Sequence, residues 1–207
     1  MKVTVENFCE PIITYIKKTV TLDVESVEKV IAQSEEVIFS KGEILLKEGA
    51  VSKYCYFIVS GLARSYYIGP DGRTTTWLFH FNEPFSNAKN LFINDYKSFL
   101  TGQACTLTIE ALTEVRAIKW SITNFLTMCN DIPVFEKWMR RLNESFFIVM
   151  YDRISSLLTM SASDRYIKML AEEPHLVQMF SNYYIASYLN ITPPSLSRIR
   201  SRVSKTD

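Results

Sequence analysis

Residues 36–120 constrain the fold more than any other part of the chain, because short apolar runs there are cut repeatedly by turn signals. Val37-Ile38-Phe39, Ile44-Leu45-Leu46, Tyr54 to Val59, Ala63 to Ile68, Thr74 to Phe81, Leu107 to Leu112 and Val115 to Trp120 are rich in β-branched and aromatic residues. Such side chains suit a pleated, half-buried surface. Between the runs stand Lys41-Gly42, Glu48-Gly49, Ser60-Gly61 and Gly69-Pro70-Asp71-Gly72. The last is the clearest hairpin, with Pro70 fixing φ and Gly72 free to take a positive φ. Many short strands separated in this way predict a sandwich or barrel.

Helical patterns flank this region. Val5 to Phe8, Ile12-Ile13 with Ile16, and then Val24, Val27, Val30 and Ile31 predict short helices before the strands. After them Ser121 caps a short helix, and Pro133 opens a long one without Gly or Pro from Val134 to about Leu158. About 25 residues of helix reach about 37 Å. Phe135, Leu142 and Val149 recur every seven residues beside Trp138, Met139, Phe146 and Ile154, which predicts a dimer seam along part of this helix. Thr159 to Ser163 reads as a hinge, and Ser163 to Leu170 as a helix ended before Pro174.

Composition limits the remaining choices. With 47% apolar and 13% aromatic residues the chain can fill a globular core. Its apolar runs are far shorter than a membrane span, and Glu6, Glu10 and Pro11 interrupt any signal-peptide core, so a cytoplasmic location without membrane contact is expected. Cys9, Cys55, Cys105 and Cys129 are scattered, which predicts reduced, packed thiols rather than a metal site. His80 and His175 stand alone in sequence and read as structural. No nucleophile–base pair, Gly-rich phosphate loop or paired-carboxylate motif points to an enzyme. Net charge is only +1. Between Ser181 and Asp207, however, Arg198, Arg200, Arg202 and Lys205 face the single acid Asp207, a local excess that fits a phosphate-facing surface.

That basic end carries the sharpest local pattern, Asn182 to Val203. Ala186 is small where two helices would cross. Ile185 and Leu189 on the first helix, with Leu196, Ile199 and Val203 on the second, form an apolar face. Asn190 falls at the turn, where a left-handed residue is needed and Asn is tolerated. Ile191 is expected to plug the turn from inside. Thr192 is a good N-cap and Pro193 a good first helical residue. A helix-turn-helix follows. Its second helix would expose Pro194, Ser195, Ser197, Arg198, Ser201 and Arg202, a surface of hydroxyls and arginines without an acid. A helix in the major groove of duplex DNA wants this mix. Arg198 is the expected base contact; Thr192, Ser195, Arg200, Arg202 and Lys205 are expected at phosphates, with Ser197 and Ser201 on the same surface.

A β-roll, a long helix and a terminal helix-turn-helix, in that order, resemble the Crp/Fnr superfamily of bacterial regulators. Lys41 to Gly49 followed by Tyr56 to Gly61 looks like the cyclic-nucleotide-binding signature, and Asp71-Gly72-Arg73 matches its hairpin. Ile185 to Leu189, Thr192-Pro193 and Ser197 to Arg200 are similar to the family's two reading helices. The resemblance implies an α+β fold: an N-terminal double-stranded β-roll resembling a cyclic-nucleotide-binding domain over residues 1–133, a dimerisation helix and hinge over 134–160, and a winged helix-turn-helix over 161–207. It also implies a homodimer on two-fold symmetric DNA sites, with RNA polymerase as a further partner.

The sensor pocket departs from the family. The places that hold ribose and phosphate in members binding cyclic AMP fall on Asn94-Asp95 and Cys105-Thr106. Asp95 can accept a hydroxyl hydrogen bond, but Cys105 cannot neutralise a phosphate as a guanidinium does. Lys89 and Arg73 are the cations that could stand in. Iron–sulfur members cluster N-terminal cysteines, and only Cys9 lies there; a haem role for His80 lacks a second ligand. The expected cofactor is therefore none, or a small-molecule effector other than a cyclic nucleotide. The competing reading is a ligand-binding module acting on a protein partner, favoured by Pro194, which removes a side chain near the start of the reading helix.

Overall fold

The computed structural model describes residues 8–203. The expected helix beginning at Val5 lies largely outside them, as does Lys205. The chain is α+β, with antiparallel sheets and one long helix. Two compact units divide it: the residues up to Ser65 with Phe79–Phe147, and Tyr66–Leu78 with the chain from Ile148 onward. This division follows compactness and does not coincide with the boundaries at 133 and 160.

The first unit opens with α1 (Glu10–Lys17) and α2 (Val24–Ala32), the latter capped by Asp23, whose carboxylate accepts the Ser26 N–H at 2.8 Å. Strands β1 (Glu35–Phe39), β2 (Ile44–Leu46), β3 (Tyr54–Ser60), β4 (Ala63–Ile68) and β5 (Thr74–His80) follow. After α3 (Ala88–Leu91), β6 (Phe92–Ile93) and α4 (Tyr96–Thr101) come β7 (Thr108–Ala111), β8 (Val115–Ser121) and α5 (Ile122–Asp131). The strands form two four-stranded sheets, ordered β1-β8-β3-β6 and β2-β7-β4-β5. Gly61 makes the β3–β4 turn possible. Its φ is +94°, and a Cβ there would collide with the Glu114 carbonyl oxygen, so only glycine fits.

A large apolar cluster of this unit gathers on one face of the first sheet. Cys55, Phe57, Ile118 and Trp120 from β3 and β8 pack with Ile12, Ile13 and Ile16 of α1 and with Phe125 and Met128 of α5. Helix α6 (Pro133–Thr159) contributes its first turns, since Phe135, Trp138 and Met139 are buried in the same cluster. This corrects the seam expected from the heptad of Phe135, Leu142 and Val149. Phe135 belongs to its own domain's core, Leu142 is packed against that core, and Val149 is half-buried. The exposed apolar residues of α6 come later and on another line: Phe147 (70%), Tyr151 (66%), Ile154 (46%) and Leu158 (80%), with Ile148 beside them. Their spacing alternates four and three residues, the pattern of a coiled-coil seam.

The second unit holds the end of α6, α7 (Ala162–Glu172), α8 (Leu176–Met179), α9 (Asn182–Tyr188) and α10 (Pro193–Val203). It also holds the outer part of the β4–β5 hairpin. Ser161 caps α7, its hydroxyl accepting the Asp164 N–H at 3.2 Å. The wing expected beside α9 and α10 finds no strand among the described residues, since every element after α6 is a helix. The strand segments of this unit come from the hairpin instead.

Candidate nucleic-acid interface and effector cleft

Helices α9 and α10 are joined by Leu189 to Thr192. Asn190 takes φ 53°, the left-handed turn position. The Ile191 N–H donates to Ala186 O at 3.0 Å, and the Asn190 N–H to Ser187 O at 3.1 Å, which closes the end of α9. Ile185, Ala186, Leu189, Leu196 and Ile199 are buried between the helices. Ala186 has no exposed surface, as a close crossing requires. Ile191 is half-buried rather than sealed inside. Thr192 Oγ1 accepts the Ser195 N–H at 3.4 Å, and the two hydroxyls are 3.0 Å apart. With Pro193 and Pro194 in the two positions before Ser195, α10 loses no intrahelical bond, since those N–H groups have no partner in any helix.

The seven positions expected at DNA fall as follows. Ser197, Arg198, Arg200, Ser201 and Arg202 are exposed on α10, while Thr192 and Ser195 are half-buried at its start. Arg198 and Arg202 are one turn apart on one face. The Arg198 guanidinium folds back along the helix, donating to Pro194 O and Ser195 Oγ at 3.4 Å each, long bonds that a stronger acceptor displaces easily. Arg200 leaves α10 on the other side and donates to Asn182 Oδ1 at 2.6 Å. It thereby brings a positive charge to the N-terminal end of α9.

What holds this pair of helices in place lies elsewhere in the chain. Ser187 is buried on α9. Its hydroxyl donates to Thr74 O at 2.7 Å and accepts from the Thr76 N–H at 2.8 Å and the Thr76 hydroxyl at 3.0 Å. Arg153 of α6 adds a second fastening. Its Nη2 donates to Thr76 O at 3.2 Å and Tyr188 O at 3.3 Å, and its guanidinium lies 3.8 Å from the Tyr188 ring centroid and 5.3 Å from that of Trp77. Arg165 of α7 donates to Met160 O at 2.7 Å and Leu189 O at 3.0 Å. Sequence reasoning missed all three residues. An arginine inside the apolar half of a long helix was the available signal for Arg153, since a charge there needs acceptors.

In the first unit the expected effector residues separate. Asn94 lines a cleft of about 460 Å³. Asp95 instead caps α4, its carboxylate accepting the Ser98 N–H at 2.9 Å. Cys105 is buried, with Sγ 3.1 Å from Lys47 O, and Thr106 is exposed. Of the proposed stand-ins, Lys89 is buried in α3, and Arg73 is exposed at the hairpin tip, 3.4 Å from Asp71. The cleft's remaining polar lining comes from Lys47, Ser52, Lys53, Tyr54 and Tyr56, and Ile44 and Val51 expose apolar surface into it. Burial pushes the Tyr56 phenol up to about 12, with the neighbouring Tyr54, Cys55 and Glu43 adding to the rise, so it is a neutral hydrogen-bonding group.

Burial likewise raises the thiols of Cys9, Cys105 and Cys129, and takes Cys55 to about 12. Protonated thiols neither ligate metal nor attack. Burial lowers His80 to about 4, against the opposing effect of backbone hydrogen bonds at Phe92, Asn90 and Lys89. Its Nε2 is 3.2 Å from Ser65 Oγ. No cluster of three or more His, Cys, Asp or Glu suited to a metal occurs among the described residues. No helix among them is long and apolar enough to cross a membrane.

Residues 36–131 match the family described as the cyclic nucleotide-binding domain. No curated protein sequence matches the chain. Among solved structures, FixK2 from Bradyrhizobium japonicum is 20% identical over 84% of this chain and 85% of that one, with a TM-score of 0.67. The c-di-GMP-responsive global regulator CLP from Xanthomonas campestris is 14% identical over 89% and 93%, also at 0.67. A protein described as a transcriptional regulator of the Crp/Fnr family, from Eubacterium rectale, is 15% identical over 89% and 85%, at 0.66. At such identities the likeness is one of fold.

Proposed function

We propose that this protein is a dimeric transcription regulator reading duplex DNA through α9 and α10, a reading supported by the match of residues 36–131 to the cyclic nucleotide-binding domain family and by the fold shared with Crp/Fnr regulators. The observation that carries the reading is the exposed face of α10. Ser197, Arg198, Ser201 and Arg202 are exposed there without an acid, on a helix set against α9 by a left-handed Asn190.

In this reading Arg198 leaves its weak intrahelical bonds to pair with a base edge. Arg202, Thr192 and Ser195 meet phosphates, Arg200 does so beside the start of α9, and Ser197 and Ser201 line the same groove. Residues 1–133 act as the sensor, 134–160 as the dimerisation helix, and 161–207 as the reader. Phe147, Tyr151, Ile154 and Leu158 supply the seam of a cytoplasmic homodimer that works with RNA polymerase. The effector is a small molecule seated in the cleft at Asn94, Lys47 and Tyr56. Cyclic AMP is not the expected effector, because Cys105 stands where the resemblance places a guanidinium.

Selection of bound fragments from random DNA supplies the site for a test. Arg198→Ala should then weaken binding there by about 1–3 kcal/mol and relax preference at one base pair. Undiminished binding by the Arg198→Ala/Arg200→Ala/Arg202→Ala protein would refute the interface. Exposed Pro194 at the start of α10 favours a second reading, a ligand-binding module acting through a protein partner. Failure of the selection to enrich any sequence supports that alternative. Calorimetry with cyclic AMP, cyclic GMP and cyclic di-GMP tests the cleft, and tight binding of cyclic AMP or cyclic GMP overturns the argument from Cys105.

A further inference from the structure

A second concavity of the first unit, about 480 Å³, lies between the end of α1 and the first turns of α6. Lys17, Lys18, Lys137 and Arg141 line it, and no acidic residue does. None of the four makes an ion pair among the described residues. Lys17 has an ordinary structural explanation, since a cation in the last turn of α1 complements that helix's dipole. Lys137 has none. It stands one turn into α6, near the helix end that already carries partial positive charge. Concentrating four like charges here, on a chain whose net charge is +1, costs repulsion, offset in part where Lys18 Nζ lies 5.9 Å from the Tyr15 ring centroid.

The concavity is also fixed in shape. Val20 and Leu22 anchor the intervening loop in the core, and Arg141 Nη1 donates to Thr19 O at 2.6 Å, tying the loop to α6. The Thr19 and Thr21 side chains on its wall offer hydroxyl donors. We propose that this site binds a small polyanion bearing two or more phosphoryl groups, held by Lys17, Lys18, Lys137 and Arg141. The size suits a small molecule, and the cations come from two elements, the end of α1 and the first turns of α6, so that more than one phosphoryl group can be met. The site is independent of the DNA-reading surface.

Thermal unfolding of the full chain with inorganic tripolyphosphate tests this at fixed ionic strength. A saturable rise in Tm is expected, with orthophosphate giving far less, because a ligand of the folded state stabilises in proportion to its occupancy. Lys17→Ala/Lys137→Ala should weaken the apparent affinity roughly tenfold or more. That pair spares the Arg141–Thr19 bond, so the variant keeps the loop's tether. Arg198→Ala/Arg202→Ala on α10 should leave the effect intact. The proposal is overturned if tripolyphosphate does nothing, if sulfate at matched ionic strength does the same, or if the α10 variant abolishes the effect while the lysine variant keeps it. A Tm response to duplex DNA or an acidic peptide that the lysine variant loses, without one to tripolyphosphate, also overturns it and assigns the surface to a macromolecule.

Discussion

Replacing Ser187 with alanine removes one oxygen that three groups of the β4–β5 hairpin share. Thr74 O loses a donor, and the Thr76 N–H and hydroxyl lose their acceptor. Thr76 is fully buried and Ser187 is 7% exposed, so water does not easily replace the lost oxygen. A buried donor deprived of its acceptor costs about 1–3 kcal/mol. Taking about 2 kcal/mol, the population in which the hairpin opens from α9 rises roughly thirty-fold. Amide hydrogen exchange reads this directly. The Thr76 amide should exchange roughly thirty-fold faster in Ser187→Ala, while the Phe57 amide, in the core of the other unit, keeps its rate. Thr76→Val removes one hydroxyl and spares the amide bond, so its effect should be smaller, about 1 kcal/mol. Unchanged exchange at Thr76 in Ser187→Ala, or a larger effect from Thr76→Val, would show that the clasp is not what holds the hairpin.

Three further outcomes are expected. His80 titrates near 4 when folded, below its ordinary 6.5, because of burial. The unfolded chain therefore takes up the proton first, and the stability is whole above pH 6.5 and lost as pH falls toward 4, at up to about 1.4 kcal/mol per pH unit. Urea midpoints should drop more steeply over that window than those of His80→Gln, and parallel curves would contradict the assignment. Gly61→Ala should destabilise by more than about 3 kcal/mol, because the new Cβ meets the Glu114 backbone; a wild-type melting curve would refute the steric argument. Ile154→Glu/Leu158→Glu should sediment as a monomer and bind DNA weakly, whereas a persistent dimer would place the seam elsewhere.

Much of the fold was legible because local rules agreed with one another. Gly42, Gly49, Gly61 and Gly72 all take positive φ at the turns that cut the strand region, and the long helix begins at Pro133. Asn190, Ala186 and Leu196 likewise occupy the places that a tight two-helix turn demands. The face of α6 was not legible. An apolar heptad records only that something covers it, and Phe135 serves its own core as well as it would a partner. The place of Asp95 was not legible for a related reason, since an Asp that caps a helix looks in sequence like one that binds a ligand. The fastening of α9 left no local trace, because Thr76 and Ser187 are 111 residues apart.

That separation has a consequence for how the molecule is made and cut. The helical unit is discontinuous: Tyr66–Leu78 belongs to it, yet is synthesised long before the helices it grips. As the chain emerges, the hairpin waits with Trp77 and the Thr76 amide of β5 uncovered until α6 and α9 arrive. Closure of so long a loop is entropically costly and slow, so assembly of the reading helices is a late step in folding. A fragment beginning at Ile148 would lack the strands that satisfy Ser187 and sandwich Arg153, and would present those polar groups to solvent. The C-terminal helices are thus not a detachable cassette, and a recombination event that exchanged them alone would leave the hairpin behind.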